Sequence, residues 1–299
     1  MSVLIKWLES LHEEIIVSSS CVRKRNRKST CEYCLEICEH EALSVKGNQL
    51  IIDSNNCTLC GECVIVCPLS AIEGLVNNRT FDNGSLVYNT EYVPTIKELL
   101  IYKIRGLSSI QTQKPLNKEW ETALTKSNNI LELLGESPII VTEKVLGEML
   151  SRRALFSSLQ KEGKQLAKNM APAAWKMEKD DWKLTKYYPD YQFYSVKISE
   201  DKCTLCQVCF SLCPENLFHI EGTQLLIDHE KCVDCTSCTD VCPENAIEIV
   251  PDIKRKSKNK KNITHKSCKD CGHTFYTFKE TIEKCHICIN RDSDWLSPY

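Results

Sequence analysis

The 299-residue sequence has no apolar run approaching the ~20 residues of a helical membrane span, which excludes a spanning helix. Its first residues, Met1 to Glu9, are too short in apolar character and too quickly acidic for a secretory leader. Neither Gly-x-x-x-x-Gly-Lys nor Gly-x-Gly-x-x-Gly occurs and no nucleophile motif stands out, so a nucleotide site or covalent catalysis has no support. No charge dominates: 38 Lys and Arg face 40 Asp and Glu, and the net charge of −2 argues against a surface that generally seeks nucleic acid. Aromatics are 7%, and the 42% hydrophobic share includes twenty cysteines, so the apolar core is thinner than that share implies. Residues 76–195 contain no cysteine at all. So many cysteines without a leader point to a reducing cytoplasm and away from a disulfide framework. The length is enough for two or three domains.

What is present in abundance is thiol, and all twenty thiols fall into metal-ligand patterns. Cys203-x2-Cys206-x2-Cys209-x3-Cys213-Pro214 is followed by Cys232-x2-Cys235-x2-Cys238-x3-Cys242-Pro243. A 4Fe–4S cubane needs four thiolates around a compact body, and this spacing supplies three from one tight loop. Zinc knuckles or structural disulfides account poorly for two such runs. Over about residues 196–250 the chain resembles the bacterial two-cluster ferredoxins. In that family the fourth cysteine, ahead of the proline, serves the other cluster. The resemblance therefore implies Cys203, Cys206, Cys209 and Cys242 on one cluster, with Cys232, Cys235, Cys238 and Cys213 on its neighbour.

The same module occurs earlier. Cys31, Cys34, Cys38, Cys57, Cys60, Cys63 and Cys67 each match a cysteine 175 positions on. Leu50-Ile51-Ile52-Asp53 likewise matches Leu225-Leu226-Ile227-Asp228, and Ala71-Ile72-Glu73 matches Ala246-Ile247-Glu248. An in-register repeat means one small unit built twice. One ligand breaks register: the counterpart of Cys203 is Lys28, and Cys21 lies seven residues upstream of it. Cys21 is read as the displaced ligand, which places Cys21, Cys31, Cys34 and Cys67 on one cluster and Cys57, Cys60, Cys63 and Cys38 on the other. The alternative is a three-cysteine site that holds a 3Fe–4S cluster or none. The stretch Arg23 to Lys28 carries five positive charges, which either raise a neighbouring cluster's potential, steer an acidic partner, or are simply solvated. Glu39 stands where the proline after Cys38 would be, so the first module is the more divergent.

Val3, Leu4, Trp7, Leu8, Leu11 and Ile15 have the spacing of an amphipathic helix over residues 3–17. Its face fits packing on protein better than on anionic lipid, because Glu9, Glu13 and Glu14 line the polar side, although peripheral membrane contact stays open. In the middle segment the pattern predicts a hairpin over 80–88, a helix from Pro94 that Gly106 ends, a short strand over 107–111 and a helix over 116–134. A buried strand at Pro138 to Val141 and a further helix from Glu143 to Ala167 complete it. That order suggests a small α/β unit. Residues 170–195 are rich in Trp, Tyr and Pro and read as an extended strap over the second module, with a docking surface as the alternative. His12, His40, His219 and His229 are isolated and read as ordinary surface or packing histidines.

Ile253 to Asn262 is basic and reads as a flexible linker. Beyond it Cys268-x2-Cys271 and Cys285-x2-Cys288 form two knuckles around the strand-like Thr274 to Phe278. Paired knuckles of this kind make a tetrahedral four-sulfur site, and the segment looks like a zinc ribbon. One Zn2+ is preferred over rubredoxin-like iron, which would use the same ligands.

The expected fold class is therefore α+β, with two ferredoxin-like modules flanking a small α/β or mostly helical middle, plus a zinc ribbon. The expected segments are 1–20 (helix), 21–75 (first module), 76–195 (cysteine-free middle), 196–252 (second module), 253–264 (basic linker) and 265–293 (ribbon). The expected function is a cytoplasmic iron–sulfur electron carrier with four 4Fe–4S clusters, a polyferredoxin. It would serve a redox partner protein or a catalytic oxidoreductase subunit, and no nucleic acid is expected. The other reading is a redox- or metal-responsive binding module that uses the ribbon and the basic linker. An enzyme with its own site in the middle segment is the least supported, because that segment has no cofactor motif or clustered His/Asp/Glu set.

Overall fold

A computed structural model describes residues 15–75, 79–143, 179–257, 259–289 and 291. The chain divides into two compact units. One comprises the described parts of Met1–Cys21, Glu32–Lys46 and Leu50–Tyr187, and the other those of Val22–Cys31, Gly47–Gln49 and Tyr188–Tyr299.

The repeat holds at the level of elements. Strands Leu43–Lys46 and Gln49–Ile52 have their counterparts, 175 residues on, in Phe218–Glu221 and Gln224–Ile227. Helix Glu62–Val66 likewise matches Ser237–Val241. Even the closing hydrogen bonds repeat: Asp53 N donates to Ala42 O at 2.7 Å, and Asp228 N to Leu217 O at 3.0 Å.

In the first unit the middle segment is an α/β layer. Ser85–Val87, Ser109–Thr112 and Ile140–Glu143 run parallel, and Phe81–Asp82 adds an antiparallel edge through the turn at Asn83 and Gly84. Helices Ile96–Ile104 and Lys118–Leu133 make the crossovers. Thr95 and Glu98 close a capping box at the first helix, and Asn117 caps the second by accepting from Trp120 N at 3.0 Å. Leu86, Leu99, Leu100, Ile101, Ile110 and Trp120 are at most 1% exposed and form the core between helices and sheet. Two expectations need correction. Ile16–Val17 is a strand paired with Ile72–Glu73, not the end of a helix; the rest of the expected helix, residues 3–14, lies outside the described residues. Ile140 and Val141 are 56% and 44% exposed, since only Ile139 turns inward, held by Asn128 through both its N–H and its C=O. The helix expected over 143–167 also falls outside the described residues.

In the second unit Tyr191–Ile198 pairs with Ile247–Arg255 beside the core of Val196, Leu217, Phe218, Leu225 and Ile227. Only the end of the expected aromatic strap is a strand of this unit, with Phe193 6% exposed; Lys179–Trp182 and Leu184–Tyr187 are short helices of the first unit, and residues 170–178 are not described. The expected basic linker is largely strand over its described length. Asn259–Asn262 is a third strand, antiparallel to Gln224–Ile227. Two causes are visible: the free edge of that strand takes up its backbone, and Ile263 beyond it is buried at 4%. Lys261 reaches Glu200 at 2.6 Å. Among the described residues no helix is long and apolar enough to cross a membrane.

Candidate metal centres

The cysteine loops share an unusual backbone. Residues on both sides of the middle cysteine are left-handed in three of them: Leu59 and Gly61 around Cys60, Leu205 and Gln207 around Cys206, Asp234 and Thr236 around Cys235. Leucine and threonine avoid this region, so three recurrences mark a conformation imposed by what the loop wraps. A second left-handed residue follows each fourth cysteine by three positions: Glu41, Ser70, Asn216 and Asn245. Cys31 is the exception, since Glu32 after it has φ −128°.

The loops gather their thiols. Cys203, Cys206 and Cys242 are the cysteine neighbours that act on Cys209, while Cys213 and Cys232 act on Cys235. Cys238 faces Cys232, Cys235, Cys213 and, more weakly, Cys209 of the adjoining set. In the first unit Cys63 faces Cys34, Cys60, Cys57 and Cys38. Burial pushes the thiols of Cys63, Cys209, Cys232 and Cys235 up to about 12, with the neighbouring sulfurs adding to the rise. Such thiols ionise only beside a cationic centre, which an iron cluster supplies. Backbone N–H groups aim at the sulfurs: Ala71 N at Cys67 Sγ (3.2 Å), Ala246 N at Cys242 Sγ (3.3 Å) and Leu205 N at Cys203 Sγ (3.4 Å). Bonds of this kind tune a cluster's potential. The donor set and its hydrogen bonds fit 4Fe–4S clusters.

Cys21 follows its strand as Cys203 follows its own. Ser18 N donates to Ala71 O at 2.7 Å, and Ser199 N donates to Ala246 O at 2.9 Å; Ala71 and Ala246 are repeat counterparts. Cys21 N then bonds back to Ser18 O at 3.3 Å, and Cys203 N to Ser199 O at 2.9 Å. The nine residues between Cys21 and Cys31 are not simply a longer loop. Val22–Arg25 is a short helix, Asn26 and Ser29 are buried, and Asn48 caps the turn by donating to Arg23 O (2.8 Å) and Asn26 O (3.1 Å). This stretch belongs to the second unit, where Thr30 bonds the Asp240 carboxylate through N (3.0 Å) and Oγ1 (2.7 Å). Cys31, in the same unit, lies among the charges that act on Cys235.

Two family models, each described as a 4Fe-4S dicluster domain, match residues 195–243 and residues 29–71. The chain therefore carries two 4Fe–4S ferredoxin-type dicluster domains, one in each copy of the repeat. It is also 31% identical over 104 residues to an uncharacterized ferredoxin of Methanocaldococcus jannaschii, across 34% of this chain and 64% of that protein. The match in the first ferredoxin-type domain starts at residue 29, so it leaves out Cys21.

Sequence reasoning missed the charged groups behind the first ferredoxin-type domain. Arg79 is 5% exposed and binds Glu98 at 2.7 and 2.9 Å and Glu62 at 2.8 Å. Glu62 sits between Cys60 and Cys63, and burial raises its carboxyl to about 7 against the pull of Arg79. Next to Glu98, Lys97 donates through Nζ to Cys67 O at 3.0 Å. No local pattern signals these residues, because each partner lies 17 to 30 positions away.

The tail cysteines Cys268, Cys271, Cys285 and Cys288 bring their sulfurs within 4.8 Å of one another. Cys271 and Cys285 are 3.8 Å apart, which matches the ~3.8 Å edge of a tetrahedron with metal–sulfur bonds of ~2.3 Å. Cys285 N points at Cys268 Sγ (3.3 Å), and backbone N–H groups pull the Cys268 thiol below its usual range. The group is suited to a metal ion.

Proposed function

We propose that this protein is a one-electron carrier with four 4Fe–4S clusters and one structural zinc. The ligand sets are Cys21/Cys31/Cys34/Cys67, Cys38/Cys57/Cys60/Cys63, Cys203/Cys206/Cys209/Cys242 and Cys213/Cys232/Cys235/Cys238. The observation that best supports the full count is the shared anchoring of Ser18 on Ala71 and Ser199 on Ala246, with Cys21 three residues after its anchor and Cys203 four after its own. A carrier of this kind implies a redox partner, either a small protein or a catalytic subunit, and a place among soluble reductants of the cytoplasm. The clusters, when bound, supply the electron chemistry. The chain's residues exclude water, aim N–H groups at sulfur and set the local charge.

Anaerobic purification tests the count. About 16 iron and 16 sulfide per chain, with about one zinc, are expected from four cubanes and one four-thiolate tail site. Cys21→Ser should lose one cluster's worth of iron; unchanged iron would overturn its assignment. Lys97 gives a second test. A cation beside the Cys67 backbone favours the more negative, reduced cluster, so Lys97→Met should lower one potential and leave the other three in place. A redox titration followed by EPR reads this, and an unmoved potential would remove Lys97 from any tuning role.

A further inference from the structure

The first unit holds a cavity of about 440 Å3 with Cys38, Cys57, Cys60 and Cys63 on one side. Its size is not that of the cluster site alone. Beside Cys203, Cys206, Cys209 and Cys242, read as holding the same kind of cubane, the cavity measures only about 20 Å3. The additional space has walls that no cluster uses: Thr90 to Val93 from the loop before helix Ile96–Ile104, and Asn117 and Glu119 at the start of helix Lys118–Leu133. A cubane on the four cysteines would fill part of this volume, and the part beside Thr90 to Val93, Asn117 and Glu119 is the space a small molecule could take.

The charge of the lining selects the ligand. Glu39, Glu91 and Glu119 border the cavity as exposed carboxylates, and among the described residues no lysine or arginine lines it. An anionic ligand, including any phosphate ester, would be repelled, and a cation would be drawn in. Leu43, Ile52, Leu75 and Val93 supply apolar wall, as does the half-buried Tyr92, whose ring has the Arg79 guanidinium over one face at 5.8 Å. We propose that this cavity is a binding site for a small organic cation with a flat apolar body, held between the first ferredoxin-type domain and the α/β layer. The proposal uses the cluster reading only for the identity of the neighbour, since the selecting walls are not cysteines.

The test is calorimetric titration of the oxidised, cluster-loaded full chain with methyl viologen, a dicationic bipyridinium. Anthraquinone-2,6-disulfonate, flat but anionic, is the control. Saturable one-to-one binding of the viologen and none of the disulfonate are expected. The double variant Glu91→Gln/Glu119→Gln should weaken binding about tenfold, and Val93→Trp, which fills the cavity, should abolish it. No saturable viologen binding, or binding that both variants leave unchanged, would overturn the site. If Val93→Trp fails to fold, the glutamine variant decides, because both of its positions are exposed. Iron content measured on the same samples separates failure of this site from failure of the four-cluster reading.

Discussion

Replacing Arg79 with methionine should destabilise the first compact unit by about 3–5 kcal/mol, the range found when one partner of a buried ion pair is removed. The guanidinium lies between two carboxylates, Glu98 with a fully buried side chain and Glu62 with one 13% exposed. Without it, both acids keep the cost of leaving water, and each also feels the other's charge. The result would be read by denaturant unfolding and by faster hydrogen exchange across helix Ile96–Ile104. Adding Glu98→Gln should recover much of the loss, since an amide can still accept from Thr95 N, which Glu98 does now at 3.3 Å. A loss under about 1 kcal/mol, the typical worth of a surface pair, would show that the triad is solvated and structurally idle. Because Glu62 lies between Cys60 and Cys63, the single variant should also lose iron more readily from the first domain than from the second.

Removal of the metal proposed for the tail site is expected to cost still more. Structural zinc sites of this type contribute on the order of 10 kcal/mol to folding. The knuckles are thinly packed: Cys268 and Cys285 are their buried residues, helix His286–Ile289 spans one turn with Ile287 66% exposed, and the rest of the support is the pairing of Thr264–Ser267 with Thr274–Thr277 and exposed ion pairs such as Lys269–Glu283. A chelator, or Cys285→Ser, should therefore abolish hydrogen-exchange protection over residues 268–289. Strand Asn259–Asn262 should keep its protection, because it is hydrogen-bonded to Gln224–Ile227. Protection that survives complete loss of metal would mean that the packing of Tyr276 and Phe278 on the second domain's core suffices.

What the sequence determined by itself is the cluster chemistry and its duplication. Ligand loops of the form Cys57-x2-Cys60-x2-Cys63 are local, so the thiol spacing is the coordination geometry written along the chain, and a displacement of 175 residues carries it intact into the second copy. The α/β order of the middle segment was legible for a similar reason: turn residues such as Asn83-Gly84 and Gly106, and helix caps such as Thr95, act within a few positions. Only the tertiary structure decided what depends on distant pairing. Strand pairing with Ile72–Glu73 overrides the helical spacing at Ile16–Val17, and the same bond pattern from Ser18 to Ala71 gives Cys21 its position. An open strand edge and a buried Ile263 turn a run of lysines from linker into sheet. Burial brings Arg79, Glu98 and Glu62 together, and the packing of the α/β layer on the first domain leaves the cavity beside its cysteines. In each case the energy comes from desolvation and from long-range hydrogen bonds, and neither leaves a period or a spacing in the chain.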